Sequence, residues 1–193
     1  GATHEAGLPT SDAYAAVPGL MPEISQDEPI GVRGGEDAKN LGAAEALLAE
    51  LARAGVRRED ALLAFGGGVT GDIVGFCAAV YQRGVPVVQV PTTLVAQVDS
   101  AYGGKTGVDL PEGKNYVGAF HQPAAVLTDP AALLTLPQEE LASGFAEVVK
   151  TALIAGGPLW ESVRSLERLD AVAAGSLVFD CARAKLDVVG ADE

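Results

Sequence analysis

Apolar positions along the chain fall into short continuous runs and longer amphipathic stretches. Between Asp37 and Ala54, the residues Leu41, Ala44, Leu47, Leu48 and Leu51 recur at helical spacing on one face. Gly55 follows as a helix stop. Ala61 to Phe65 is a continuous apolar run leading into Gly66, Gly67 and Gly68, as expected of a strand buried on both faces. Asp72 to Arg83 then predicts a helix closed by Gly84, and the β-branched run Val85 to Val90, stopped by Pro91, predicts a second buried strand. Residues 99–123, crowded with Gly, Lys, Asn and Pro, read as one long polar loop, and Ala124 to Thr128 as a third strand. Beyond Pro130 the pattern is helical, over Ala131 to Leu134, Gln138 to Ile154, Leu159 to Leu169 and Ala171 to Val189. Residues 1–30 carry no assignable pattern.

The order strand, glycine turn, helix, strand implies an α/β fold with a parallel sheet and crossover helices. We therefore expect an α/β domain over residues 1–128 and the first part of a helical domain over 129–193. Hydrophobic residues make up 48% of the chain and charged residues 20%, an ordinary globular balance able to bury a core. No apolar stretch is long enough to predict a membrane-spanning helix. The start, Gly1-Ala2-Thr3-His4, has neither the basic nor the apolar part of a signal peptide, and without an initiator Met it suggests a processed or partial chain. The net charge of −13 argues against nucleic acid and anionic membranes as partners, since both need a basic face. Cys77 and Cys181 form no metal-ligand pattern and are expected to be reduced core residues of a cytoplasmic protein.

Two segments carry candidate chemistry. Gly66 to Gly71 fits G-x-G-x-x-G between a predicted strand and a predicted helix. Glycines there let backbone N–H groups approach a pyrophosphate at the helix N-terminus, and Asp72 is expected in the first helical turn as a cap. A tight turn with no ligand would read the same way. The acidic residue usual about 20 positions on is missing, since that stretch reads Val88-Gln89-Val90-Pro91, so a ribose would have to be held elsewhere. Gly103-Gly104-Lys105-Thr106 is not a P-loop: Asp99 and Ser100 stand where glycine is needed, and no strand leads into it. Lysines are scarce, at 39, 105, 114, 150 and 185 only, so an anionic ligand would need them concentrated at its site.

The longer string GGGVTGDIVGFCAAVYQRGVPVVQVPTTLVAQVDSAYGGKTGVDLPEGKNYVGAFHQP, residues 66–123, resembles the 3-dehydroquinate synthases of the sugar phosphate cyclase superfamily. Thr135-Leu136-Pro137 through Lys150 continues the likeness, which spans roughly residues 34–193. The resemblance implies a Rossmann-like domain followed by a helical domain, with the active site between them. It implies NAD, a divalent metal (zinc, or cobalt), a phosphorylated seven-carbon sugar acid as substrate, and a homodimer. By the same resemblance, Glu36, Lys39, Gly67, Gly68, Asp72, Thr92, Thr93, Lys105, Lys114, Thr135 and Leu136 would hold the cofactor. Asp99, Lys105, Lys114, Asn115, Lys150 and Lys185 would bind the substrate, with Asp99, Lys105, Asn115 and Lys150 at the chemistry. Arg83 would reach the substrate phosphate of the neighbouring subunit. Glu147, three residues before Lys150 and so on the same helix face, would be a metal ligand.

The implied reaction is a carbon–oxygen lyase cyclisation that eliminates phosphate with transient reduction of NAD. Two departures stand out. The family's two histidine metal ligands have no counterpart, because His4 and His121, the only histidines, lie outside the metal motifs. A chain truncated at both ends and inactive alone is therefore expected. Asp109 stands where the family commonly has Asn, with no role evident. The alternatives are an inactive fragment or pseudoenzyme that only binds dinucleotide, another sugar phosphate cyclase, and an NAD- and metal-dependent polyol dehydrogenase. The last would have no use for Lys105 and Lys114.

Overall fold

The computed structural model describes residues 29–191. His4 and the unassigned start lie outside the described residues. A 3-10 turn, Glu36–Ala38, precedes α1, Leu41–Arg53. The helix expected from Asp37 thus starts later. Asn40 is its N-cap, extended at φ −141°, and the side-chain oxygen accepts from the Ala43 N–H at 3.1 Å. Gly55 follows in the left-handed region at φ 74°, as a helix stop does.

β1 (Leu62–Gly66) and β2 (Val87–Pro91) pair in parallel, with Phe65 opposite Val90, and β2 pairs in parallel with the two-residue β5 (Ala125–Val126). The sheet order is β1-β2-β5, a parallel sheet of the Rossmann-like kind. The right-handed crossover rule places α2, Gly68–Val80, against it. Leu47, Leu51, Leu62, Ile73, Val87 and Val108 meet in the core beneath.

The pattern expected α2 to begin at Asp72 and run to Arg83, and that is corrected. The helix starts at Gly68 with Gly67 as N-cap, so Asp72 is its fifth residue and caps nothing. Glycine lowers helix propensity, but here the packed face of Ile73, Val74 and Cys77 outweighs it. Tyr81–Arg83 is a separate 3-10 turn in which Gln82 and Arg83 are left-handed, at φ 48° and 69°.

Residues 99–123 are not the expected loop. α3, Leu94–Val98, is N-capped by Thr93, whose hydroxyl oxygen accepts from Ala96 N–H at 3.4 Å. A 3-10 turn, Ser100–Tyr102, leads into an antiparallel hairpin of β3, Lys105–Leu110, and β4, Gly113–Phe120. Its many glycines misled the pattern. Gly107 faces Gly118 across the ladder, and a Cβ at Gly107 would come within 2.9 Å of the Val117 carbonyl oxygen. The glycines serve close strand approach, not flexibility.

Pro130–Thr135 is a 3-10 segment, followed by α4 (Gln138–Ala155), α5 (Gly157–Arg164) and α6 (Ala171–Ala191). α5 ends five residues before the expected Leu169, at Arg164. Leu133, Val148, Leu177 and Val178 form the helical core together with Leu94 and Val98 from α3. Gly144 lets α4 sit directly on α3, since a Cβ there would be 2.7 Å from that of Leu94. Cys77 and Cys181 are buried free thiols, and burial pushes them up to about 12 and about 11. No helix among the described residues is long and apolar enough to cross a membrane.

Candidate functional site

The C-terminal ends of parallel strands open onto the edge where ligands bind in α/β sheets. β1 ends at Gly66 and β2 at Pro91, and both feed a cleft of about 640 Å³. Its walls include Glu36 and Lys39 on one side, Gly67, Gly68 and Asp72 at the α2 N-terminus, Thr93 at the start of α3, and Thr135 and Leu136. Side chains are crowded out at the turn itself: a Cβ on Gly67 would lie 2.9 Å from Thr93 Cγ2, and one on Gly68 3.2 Å from Ser100 Oγ, so each neighbour would have to give way. Thr92 does not line this cleft. It is fully buried below it, and its hydroxyl has no hydrogen-bond partner.

Lys39 is the one buried lysine among the described residues. Its Nζ lies 2.8 Å from Asp72 Oδ2 and 4.0 Å from Glu36 Oε1. Burial raises the Asp72 carboxyl above its ordinary range, and the Lys39 ammonium offsets this only in part. Glu36 also pairs with Lys114 at 3.0 Å, which raises the Lys114 ammonium and ties the tip of the β3–β4 hairpin to the cleft.

A second cavity, about 500 Å³, lies between α6, the Ser100–Tyr102 turn and the hairpin. Asp99, Lys105, Asn115 and Lys185 line it, and Asp72 and Ser100 belong to both cavities, so the two adjoin. Asp99 sits between two ammonium groups, Lys185 at 2.6 Å and Lys150 at 3.2 Å. Burial would raise its carboxyl, but the bonds and charges of Lys185 and Lys150 outweigh burial and hold it low. Lys150 also pairs with Glu147, which together with Asp99 holds its ammonium above the usual range despite some burial. Lys105 lines the cavity with no ion-pair partner among the described residues.

Lys114, Lys150 and Glu147 line neither cavity, though Lys114 is joined to the first through Glu36 and Lys150 to the second through Asp99. Arg83 is exposed and lines neither cavity. Ser100, at the junction of the two, was not singled out from the sequence. Its signal was its place directly after Asp99, in a segment read as loop.

A metal ion does not fit the described residues by themselves. No group of His, Cys, Asp or Glu side chains among them comes together as a metal site. Glu147 is held by Lys150, and His121 Nε2 is 2.8 Å from the Val85 carbonyl oxygen. A catalytic zinc needs several protein ligands and an open position.

Residues 29–143 match the family described as 3-dehydroquinate synthase N-terminal. The 3-dehydroquinate synthase of Lactiplantibacillus plantarum is 47% identical over 164 residues, 84% of this chain and 46% of that protein. That of Halorhodospira halophila is 44% identical over 195 aligned positions, 99% of this chain and 54% of that protein. The chain thus spans about half the length of the curated relatives it matches. Among solved structures, a 2-deoxy-scyllo-inosose synthase complexed with carbaglucose-6-phosphate, NAD+ and Co2+ superposes with a TM-score of 0.79 at 29% identity, covering 95% of this chain and 51% of that one. The 2-epi-5-epi-valiolone synthase of Streptomyces hygroscopicus, with NAD+ and Zn2+ bound, gives a TM-score of 0.71 at 30% identity over 85% of this chain and 48% of that one. An iron-containing alcohol dehydrogenase of Thermotoga maritima shares the fold alone, at 15% identity and a TM-score of 0.68. With more than half its length matched to the family, the chain belongs to the 3-dehydroquinate synthases.

Proposed function

We propose that this chain forms the dinucleotide cleft and much of the substrate pocket of an enzyme that converts 3-deoxy-D-arabino-heptulosonate 7-phosphate to 3-dehydroquinate and phosphate, in the shikimate route to aromatic amino acids. The observation that carries the reading is the pair of adjoining cavities. One has a glycine-lined helix N-terminus, suited to a pyrophosphate, and the other presents a lysine with no ion-pair partner among the described residues, suited to an anion.

In this reading the N–H groups of Gly67 and Gly68 take the pyrophosphate. Glu36 and Lys39 hold the adenosine side, and Asp72 faces the nicotinamide side, where the two cavities meet. Thr93, Thr135 and Leu136 close the cleft, and the buried Thr92 hydroxyl supports its floor. The dinucleotide, when bound, supplies reversible hydride acceptance and leaves unchanged. Lys105, Lys114, Lys150 and Lys185 bind the carboxylate and phosphate of the substrate, while Asn115 and the ionised Asp99 orient its hydroxyls. Asp99 stays a proton acceptor near neutrality because Lys185 and Lys150 favour its charged form. Glu147 would serve as one metal ligand. Arg83, on an exposed turn, serves the substrate phosphate of a second copy in a homodimer. Residues 1–128 and 129–193 act as the cofactor-binding and the first helical portions.

The test is calorimetric titration of this chain with NAD and with inorganic phosphate. Gly68→Val should abolish NAD binding by filling the turn beside Ser100. Lys105→Met should weaken phosphate binding far more than NAD binding. NAD affinity unchanged in Gly68→Val would refute the cleft assignment. Because the metal ligands are incomplete among the described residues, this chain supplied with zinc and NAD should release no phosphate from the seven-carbon substrate.

A further inference from the structure

Asp109 is joined to both cavities without lining either. It sits where the β3–β4 register shifts between Val108 and Leu110, so the ladder does not dictate its partner. Its side-chain Oδ1 accepts from the Asn115 N–H at 2.7 Å. Its own N–H donates to the Lys39 carbonyl oxygen at 2.8 Å, forming a bridge beside Asn40. Asn115 is in the left-handed region, at φ 56°. An ordinary side chain is strained there, though Asn tolerates it better than most. A charged acceptor on the adjacent N–H is a direct means of holding that backbone.

The consequence lies in what the strained start of β4 carries. Asn115 lines the second cavity, and Lys114 reaches Glu36 on the first. The segment that Asp109 grips by its backbone ends at Lys39, the partner of Asp72. One residue therefore connects the start of β4, which bears Lys114 and Asn115, to the wall of the dinucleotide cleft.

We propose that Asp109 is a positioning residue: its carboxylate holds Asn115 in the left-handed backbone conformation and so sets Lys114 and Asn115 at the mouth of the cavity that takes the anionic ligand. The ligand part of this rests on the function proposed above, whereas the backbone part stands on geometry alone. The side chain acts through its oxygen acceptor, and the backbone bond to Lys39 is available to alanine and asparagine alike. Asp109→Asn, which keeps an acceptor at the same reach, should therefore substitute for Asp, and Asp109→Ala should not.

The experiment uses the isotopically labelled chain, wild type and the two variants. Hydrogen exchange is read at the Asn115 amide, with Val90 in β2 as the control for global opening. In Asp109→Ala, exchange at Asn115 should rise about tenfold while Val90 is unchanged, because one charge-assisted hydrogen bond is lost. Inorganic phosphate, followed by the amide shifts of Lys105 and Asn115, should bind about threefold more weakly, with NAD affinity unaltered. Asp109→Asn, which keeps the acceptor but not its charge, should restore a large part of both. Unchanged Asn115 exchange in the alanine variant, or an asparagine variant as defective as alanine, overturns the proposal. If Val90 also opens in the alanine variant, the asparagine comparison decides. If wild type shows no phosphate response while Asn115 exchange behaves as described, the anion-site reading fails and the backbone role of Asp109 stands.

Discussion

Replacing Lys39 by Met isolates the buried ion pair at the heart of the cofactor cleft. Met keeps the length and most of the volume of the lysine stem, so the change removes charge with little change in packing. The lysine side chain is 5% exposed and the Asp72 side chain 22%, with 2.8 Å between the charged atoms. Removing one partner of such a pair costs about 3–5 kcal/mol when both groups are fully buried. Asp72 retains some water, which lowers the figure, and it has an escape route through protonation. Taking a proton at pH 7 by a group with an ordinary value near 3.9 costs about 4 kcal/mol, which caps the penalty. The two estimates converge on roughly 2–4 kcal/mol lost at pH 7, or about 5–12 °C in melting temperature for a chain of this size.

The pH dependence has a definite sign. Asp72 is already raised by burial, and losing Lys39 raises it further. A carboxyl with a raised folded value favours the fold when protonated, and that advantage disappears as pH rises through the folded value. The Lys39→Met penalty should therefore be greatest near neutrality and shrink towards the ordinary carboxylate range. In wild type, the same protonation leaves Lys39 without its partner, which narrows the gap again. Urea unfolding at pH 7 and near pH 4, with the m-value checked for constancy, measures both. Adding Asp72→Asn to Lys39→Met should recover most of the stability, since no buried charge then remains. A loss below about 1 kcal/mol at pH 7, or one independent of pH, would refute the reasoning.

Two further outcomes are expected. Leu133→Ala should cost about 2–5 kcal/mol in urea unfolding, because Leu133 is fully buried where the 3-10 segment meets the helical core; a small loss would mean that core closes over the gap. Lys185→Met should cost about 1–2 kcal/mol at pH 7, since it removes the 2.6 Å partner of Asp99. Asp99 is held low, so its contribution is present above the unfolded value and lost as pH falls through the folded one; the Lys185→Met effect should fade in acid, as urea titrations at two pH values would show.

Much of this molecule was legible in the order of its residues. The apolar runs before Gly66 and Pro91 are strands because continuous apolar segments must be covered on both faces, and helices on either side of a parallel sheet do that. The helical spacing from Gln138 to Ile154 became α4 almost residue for residue, because a packed apolar face outweighs weak local preferences. The ordered motifs from Gly66 to Lys150 led to the family.

What the sequence withheld was everything that depends on residues distant along the chain. The glycines of 103–118 look like loop until Gly107 and Gly118 are brought face to face, where side chains would separate the strands. Helix α2 begins at Gly68, against local propensity, because its packed face and the close approach to Ser100 place the turn there. The lysines were visible as scarce cations, but their partners were not. Only folding brings Lys39 to Asp72, 33 positions away, and Lys150 to Asp99, 51 positions away. Those contacts decide which lysines are already ion-paired and which one, Lys105, faces its cavity with no ion-pair partner among the described residues. Residue type and periodicity are local properties that a linear pattern records. Charge balance and cavity shape are sums over neighbours in space, and the tertiary structure alone defines that neighbourhood.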